Sequence, residues 1–169
     1  MTQVTIRALT AADRDAAVNV INVAARWYQD FLTPDELHDP EMTAAQWDEE
    51  ALRLAWYGGF LDGALVGVMG LERSRDAALL RHAYILPEHQ HHGIGLRLVE
   101  HLEVVARHEA AAHGMRRIIV GTYARNYKAR GALEKAGYRL SEDSAAVLRA
   151  YYAIPEDRLR TSVTYEKPL

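Results

Sequence analysis

Tyr84-Ile85-Leu86-Pro87-Glu88-His89-Gln90-His91-His92-Gly93-Ile94-Gly95 is the stretch on which the reading of this chain turns. A mostly apolar run enters it from Ala77 and stops at Pro87, which cannot donate to a sheet ladder, so Ala77 to Leu86 reads as a strand. Beyond the glycines, Ile94, Leu98, Leu102 and Val105 recur at helical spacing toward His113, and Gly114 suits a helix C-terminus. The stretch is therefore a join of strand to helix. Its two glycines let a backbone come close to a ligand, and the exposed amides and dipole of the following helix attract a phosphate or pyrophosphate. A plain tight turn would use glycine in the same way, so the rest of the chain has to decide.

Outward from the join, Val4 to Leu9 reads as a strand, and Thr10 with Asp13 is an N-terminal capping pattern for a helix burying Ala17, Val20, Ile21 and Ala24. Phe31 to Met42 holds two prolines and several acidic residues without periodicity and reads as a long loop. Thr43 with Gln46 caps a second helix, with Trp47, Ala51, Leu54 and Ala55 expected on one face. Tyr57 to Leu61 and Ala64 to Leu71 form a hairpin about Asp62-Gly63, the second strand apolar on both faces and so central. Downstream come a β-branched strand from Arg117 to Thr122, a helix from Asn126 to Ala136 closed by Gly137, helical turns within Ala145 to Tyr152, and a last strand from Val163 to Glu166. Strands and helices alternate without repeat or linker, which predicts one α/β domain over residues 1–169, built on a single mixed sheet.

The composition bounds what this domain does. Of 169 residues, 49% are hydrophobic and 25% charged, enough for a sizeable core. A formal charge of -3 supplies no basic footprint for a phosphate backbone, so no nucleic-acid partner is expected. The absence of cysteine excludes disulfides, thiolate metal sites and an acyl-cysteine intermediate on the protein. The opening residues Met1 to Arg7 lack a basic segment followed by an apolar core, and no apolar run has membrane-spanning length, so a cytoplasmic protein with no membrane partner is expected.

Gln90-His91-His92-Gly93-Ile94-Gly95 after Ile85 and Pro87 resembles the Gln/Arg-x-x-Gly-x-Gly/Ala signature of the GNAT superfamily of N-acetyltransferases. Asn126-x-x-Ala129 followed by Glu134-Lys135-Ala136-Gly137-Tyr138 is similar to that superfamily's second motif. The resemblance covers nearly the whole chain. It implies a mostly antiparallel sheet of six to seven strands, splayed between the fourth and fifth, and an acetyl-CoA-dependent enzyme acting on an amine of a small molecule or peptide. It further implies that the cofactor's pantetheine arm pairs with Ala83, Tyr84 and Ile85. The pyrophosphate would rest on His91, His92, Gly93, Ile94, Gly95 and Leu96, with Gln90 and Asn126 beside it. A homodimer is expected by resemblance alone. The amine would attack the thioester directly, which needs a base to take a proton from the ammonium and benefits from an acid to protonate the departing thiolate.

The departures from the family pattern concern that proton chemistry. Where many relatives carry a tyrosine acid this chain has Leu133, and the two usual base positions fall on Gly121 and Leu79. Tyr123, Tyr127, Tyr151 and Tyr152 are replacement donors, and Glu72 and His82 are candidate bases on the central strands. Of these, Glu72, His82 and Tyr123 are taken as the catalytic candidates, although packing roles are open to each. Arg81 is read as holding an acidic group of the acceptor or forming a structural ion pair, and Trp27, Tyr28 and Phe31 as the acceptor's edge or a core staple. His89, His91 and His92 invite a metal, but adjacent histidines on a turn rarely converge, so no metal is expected. As phosphate donors they would weaken cofactor binding as rising pH removes their protons. The acidic loop residues Asp35, Glu36, Asp39 and Glu41 suit a cationic acceptor or a solvated face. Three readings stay open: an N-acetyltransferase, an acyl-CoA-binding module without turnover, and a metal-binding protein.

Overall fold

The computed structural model describes residues 3–27, 30 and 32–169, with His91 described in its backbone only. Strand β1 (Val4–Ala8) leads into helix α1 (Arg14–Trp27) through a single 3-10 turn. Thr10 accepts from the amide of Ala12, and Asp13 accepts from the amide of Thr10 at 2.9 Å, the reciprocal bond of a capping box. Helix α2 (Ala44–Glu50) starts from the same device at Thr43 and Gln46.

That helix ends before Leu54, where the spacing had predicted more of it. Leu54 opens strand β2 (Leu54–Leu61), because Leu54 and Trp56 are buried while Ala55 between them is exposed, the two-residue period of a strand. Strand β2 turns through Asp62 and Gly63, both with positive φ, into β3 (Ala64–Ser74), which pairs in turn with β4 (Ala77–Ile85). Helix α3 (Ile94–His113) runs from Gly93 to Gly114, both left-handed. Strand β5 (Arg117–Tyr123) lies parallel to β4 and is followed by helix α4 (Tyr127–Lys135).

Three elements near the end were not expected or only half expected: the two-residue strand β6 (Arg139–Leu140), helix α5 (Ser144–Tyr151) and the short helix α6 (Glu156–Leu159). The chain closes on β7 (Ser162–Pro168). Seven strands form one sheet in the order β1-β2-β3-β4-β5-β7-β6, antiparallel throughout except for β4 with β5. The fold class read from the sequence is the one observed. Helix α3 covers one face over a core of Val66, Leu80, Leu98, Leu102, Ile118 and Val120. Helices α1 and α2 cover the other face over Val68 and Tyr84, and α5 continues that layer over Leu79 and Ile119.

Two irregularities in β4 position the site. Pairing with β5 is confined to Ala77–Leu80 against Arg117–Val120, and from Arg81 onward the two strands are unpaired. On its other side β4 carries a bulge, where Val68 faces Tyr84 but Gly70 faces Arg81, and His82 takes a left-handed φ of 55°. The extra residue resets the alternation of side chains, so Arg81 and Tyr84, three apart, both face the α1, α2 and α5 layer.

Candidate active site

Ala83, Tyr84 and Ile85 lie on β4 past the point where its pairing with β5 stops. At its end the Ile85 carbonyl accepts from Gln90 Nε2 at 3.3 Å, which folds the Pro87–His92 turn back against the strand. Helix α3 then points its first amides, those of Ile94, Gly95 and Leu96, toward this corner without intrahelical partners. Gly93 is needed by the backbone itself, since its φ is +69°. Gly95 is not. Its φ is ordinary, and a Cβ there would meet Ile85 at 3.7 Å, a normal contact. A glycine in a helix costs about 1 kcal/mol relative to alanine, and nothing in the fold requires it at this position. Room for a ligand's close approach does account for it, and the residues present fit a pyrophosphate-bearing cofactor.

Asn126 caps α4, its side chain accepting from the amide of Ala129 at 3.3 Å. Arg130 ties the same helix to the carbonyl of Ala124 at 2.7 Å and to the Tyr165 hydroxyl at 3.0 Å. This brings α4 next to the end of β5. Of the imidazoles on the turn, the rings of His89 and His92 lie 5.9 Å apart. Among the described residues, no group of three or more His, Asp or Glu side chains is arranged to hold a metal ion.

The candidate bases fall on the opposite face of the sheet, inside a ring of charges around the bulge. His82 Nε2 lies 3.1 Å from Glu50 Oε2, and Glu50 also accepts from Arg53. Glu72 accepts from Arg81 at 2.9 Å, and the Arg81 guanidinium lies over the Tyr152 ring at 5.4 Å. Arg81 is thus already paired, the structural alternative among the two readings of it. His82 is held from a second side by the Trp56 ring at 5.5 Å, itself stacked on Trp47 at 5.4 Å. Burial pushes the Glu50 carboxyl upward, but the His82 bond and the charges of His82, Arg81 and Arg53 outweigh it, and the net shift is downward. A carboxylate against an imidazole is the usual way to orient a histidine.

A second cluster spans the opening between the strands. Tyr84, on β4 past the split, donates to Glu41 Oε1 at 2.9 Å. Glu41 is gripped by both terminal nitrogens of Arg158, at 2.8 and 3.0 Å, and Arg158 Nη1 also donates to the Tyr123 hydroxyl on β5 at 3.2 Å. Burial drives the Glu41 carboxyl up, yet Arg158 and Tyr84 together bring it below its ordinary value. The Tyr123 phenol is pushed up to about 12, by burial first, with Arg158 opposing. At the vertex of the opening, the buried Tyr152 hydroxyl lies 3.1 Å from both the Leu80 and the Ile119 carbonyls, one on each strand.

Sequence reasoning reached Glu72, Arg81, His82 and Tyr123, and the structure gathers them on one face of β3, β4 and β5. It missed Glu50 and Arg158, and reached Glu41 only as one of the acidic loop residues. The acidic loop is only partly the solvated face expected: Asp35 and Asp39 are exposed, but Glu36 turns inward to the Thr33 amide at 2.8 Å and Glu41 is in the ion pair. Leu133 and Leu79 are buried in the core, while a Cβ on Gly121 would meet nothing within 4 Å. Trp27 ends α1 half-buried, and Tyr28 and Phe31 lie outside the described residues.

Residues 21–138 match the model of the acetyltransferase (GNAT) family. No curated protein matches the chain in sequence. Among solved structures, the chain is similar to PaiA N-acetyltransferase from Thermoplasma acidophilum in complex with coenzyme A, at 17% identity, covering 99% of each chain with a TM-score of 0.75. A GNAT-family acetyltransferase from Staphylococcus aureus is 12% identical over 99% of each chain, with a TM-score of 0.73. An acetyltransferase from Thermus thermophilus is 20% identical over 99% of this chain and 97% of its own, with a TM-score of 0.67.

Proposed function

Since the chain belongs to the GNAT family of acetyltransferases, we propose that it moves an acetyl group from acetyl-CoA to an amine, as a single cytoplasmic domain acting in a ternary complex. The observation that carries this reading is the parting of β4 from β5 after Leu80, with the end of β4 running into the Gln90–Gly95 corner and the N-terminus of α3. A strand that has parted from its neighbour gives a pantetheine arm an edge to lie along, as it would a peptide, and the helix start suits the pyrophosphate. The cofactor residues are then Ala83, Tyr84, Ile85, Gln90, His91, His92, Gly93, Ile94, Gly95, Leu96 and Asn126. Acetyl-CoA serves as acyl donor and no metal takes part.

His82, oriented by Glu50, is the base. It takes a proton from the acceptor ammonium, and the neutral nitrogen attacks the thioester carbonyl. A backbone amide within residues 81–85 steadies the oxyanion, the C–S bond breaks as Tyr123 protonates the departing sulfur, and the surplus proton lost by the newly acylated nitrogen restores that of Tyr123. Tyr123 accepts a hydrogen bond from Arg158 and, with its phenol held above its ordinary value, keeps its own proton to donate. Glu72 and Arg81 neutralise one another beside His82 and shape the wall. A small-molecule or peptide amine is the acceptor.

Calorimetric titration with acetyl-CoA and CoA tests the cofactor site, with Gly95→Glu as control because its φ is ordinary and the change leaves the turn unstrained. Binding by wild type and its loss in the variant are expected. A folded wild type that binds neither ligand refutes the reading. A panel of spermidine, tyramine and a peptide with an unblocked N-terminus then separates an enzyme from a module without turnover, by thiol release.

A further inference from the structure

The cluster of Tyr84, Glu41, Arg158 and Tyr123 does more than fill space. Strands β4 and β5 part after Leu80 and Val120, and past that point these four side chains bridge one strand to the other. Both charged members come from outside the sheet. Glu41 lies in the segment between α1 and α2, and Arg158 lies on α6, which also reaches the first segment through the Glu36 carbonyl at 3.4 Å and His38 Nδ1 at 3.3 Å. Gly121 lies in the chain between Val120, the last residue of β5 paired with β4, and Tyr123, with open space where a side chain would stand.

We propose that Glu41 and Arg158 are specificity-determining residues, a latch across the opening between β4 and β5 that limits how bulky an acceptor reaches the thioester. This rests on the acetyl-transfer reading, which puts the reacting sulfur in that opening. The latch is built to part. A largely buried ion pair returns little net stability once desolvation is subtracted, and Arg158 Nε is buried without a hydrogen-bond partner among the described residues. Opening rehydrates all of these groups, so the closed and open states are close in free energy. Asn22 anchors the segment next to Glu41, its side chain bonding both the amide and the carbonyl of Met42 at 2.9 and 2.8 Å.

The chain has no cysteine, so the thiol of bound CoA is the sole thiol in a mixture of the two and reports access directly. Protein in excess over CoA is exposed to methyl methanethiosulfonate, a small reagent, and to Ellman's reagent, a bulky one. The comparison is between wild type and the Glu41→Ala/Arg158→Ala double variant, which leaves neither charge buried alone. The expected result is that the variant speeds the bulky reagent at least about tenfold more than the small one, since such exchange follows access. The CoA Kd, measured separately, stays within about twofold. Equal acceleration of both reagents, or none, overturns the latch. Hydrogen exchange of the ligand-free protein gives a second reading that does not need CoA to bind: amides of residues 33–43 and 154–161 are expected to open together in the variant, and a rise in one segment alone, or in neither, overturns it. Failure of wild type to bind CoA refutes the acetyl-transfer reading and leaves this exchange result to decide the latch.

Discussion

Changing Tyr152 to phenylalanine isolates one hydroxyl at the vertex of the sheet. The ring stays, and with it the packing of α5 on Leu79 and Ile119 and the face over which Arg81 lies. What goes is the oxygen 3.1 Å from the Leu80 carbonyl and 3.1 Å from the Ile119 carbonyl. A phenol has one proton, so the two contacts together are worth about one hydrogen bond, near 1 kcal/mol net. Loss of the donor also leaves buried carbonyls on β4 and β5 short of a partner, which adds about 1 kcal/mol. The expected cost is about 2 kcal/mol, which for a chain of this size lowers Tm by about 4–8 °C. Urea unfolding with an unchanged slope, read beside calorimetry, measures it. A cost below about 0.5 kcal/mol at the same slope refutes the idea that this hydroxyl holds the strands at their point of parting.

Tyr123→Phe is expected to lower kcat about a hundredfold while the acetyl-CoA Kd holds, and an unchanged kcat assigns the proton donor elsewhere. Gly121→Ala is expected to raise stability by about 0.5–1 kcal/mol, because the added methyl meets nothing and unfolded-chain entropy falls, so a lower Tm contradicts the open space there. The Asp13 carboxyl is held down to about 2, by the Arg7 hydrogen bond first and the Thr10 amide second. A lowered folded value stabilises above the ordinary 3.8 and is lost as pH falls through about 2, so acid unfolding of Asp13→Asn should show less pH dependence across that window. Solvent screening at this exposed site reduces the contribution to about 1 kcal/mol.

The parts of the fold with local causes were legible. Helix α3 runs over the expected residues because an amphipathic period is closed at both ends by left-handed glycines. Both capping boxes and the Asp62-Gly63 turn are likewise written within four residues. Leu54 was misplaced because it falls seven residues after Trp47, a spacing a helix permits, whereas its alternation with Trp56 against β3 is decided by the partner strand. The short β6 has too few residues to show a period, and its existence depends on β7. In the site, the loop and strand residues followed from the motif. The Glu41–Arg158 pair joins positions 117 apart and leaves no local pattern. The left-handed His82 carries no glycine to announce it, and without that bulge Tyr84 would have been read on the wrong face.

Residues 141–161 join β6 to β7, antiparallel neighbours that a tight turn could have connected. That detour contributes Tyr152 at the point where the sheet divides and Arg158 above the gap. On the proposed reading, two properties that selection would tune separately, how wide the cleft stands and what is let into it, are thereby inherited as one piece. A deletion or exchange of this single segment between descendants would alter both in one step while leaving the motif at Gln90–Gly95 untouched. Divergence of acceptor preference among near relatives should therefore concentrate in this connection and spare the cofactor corner.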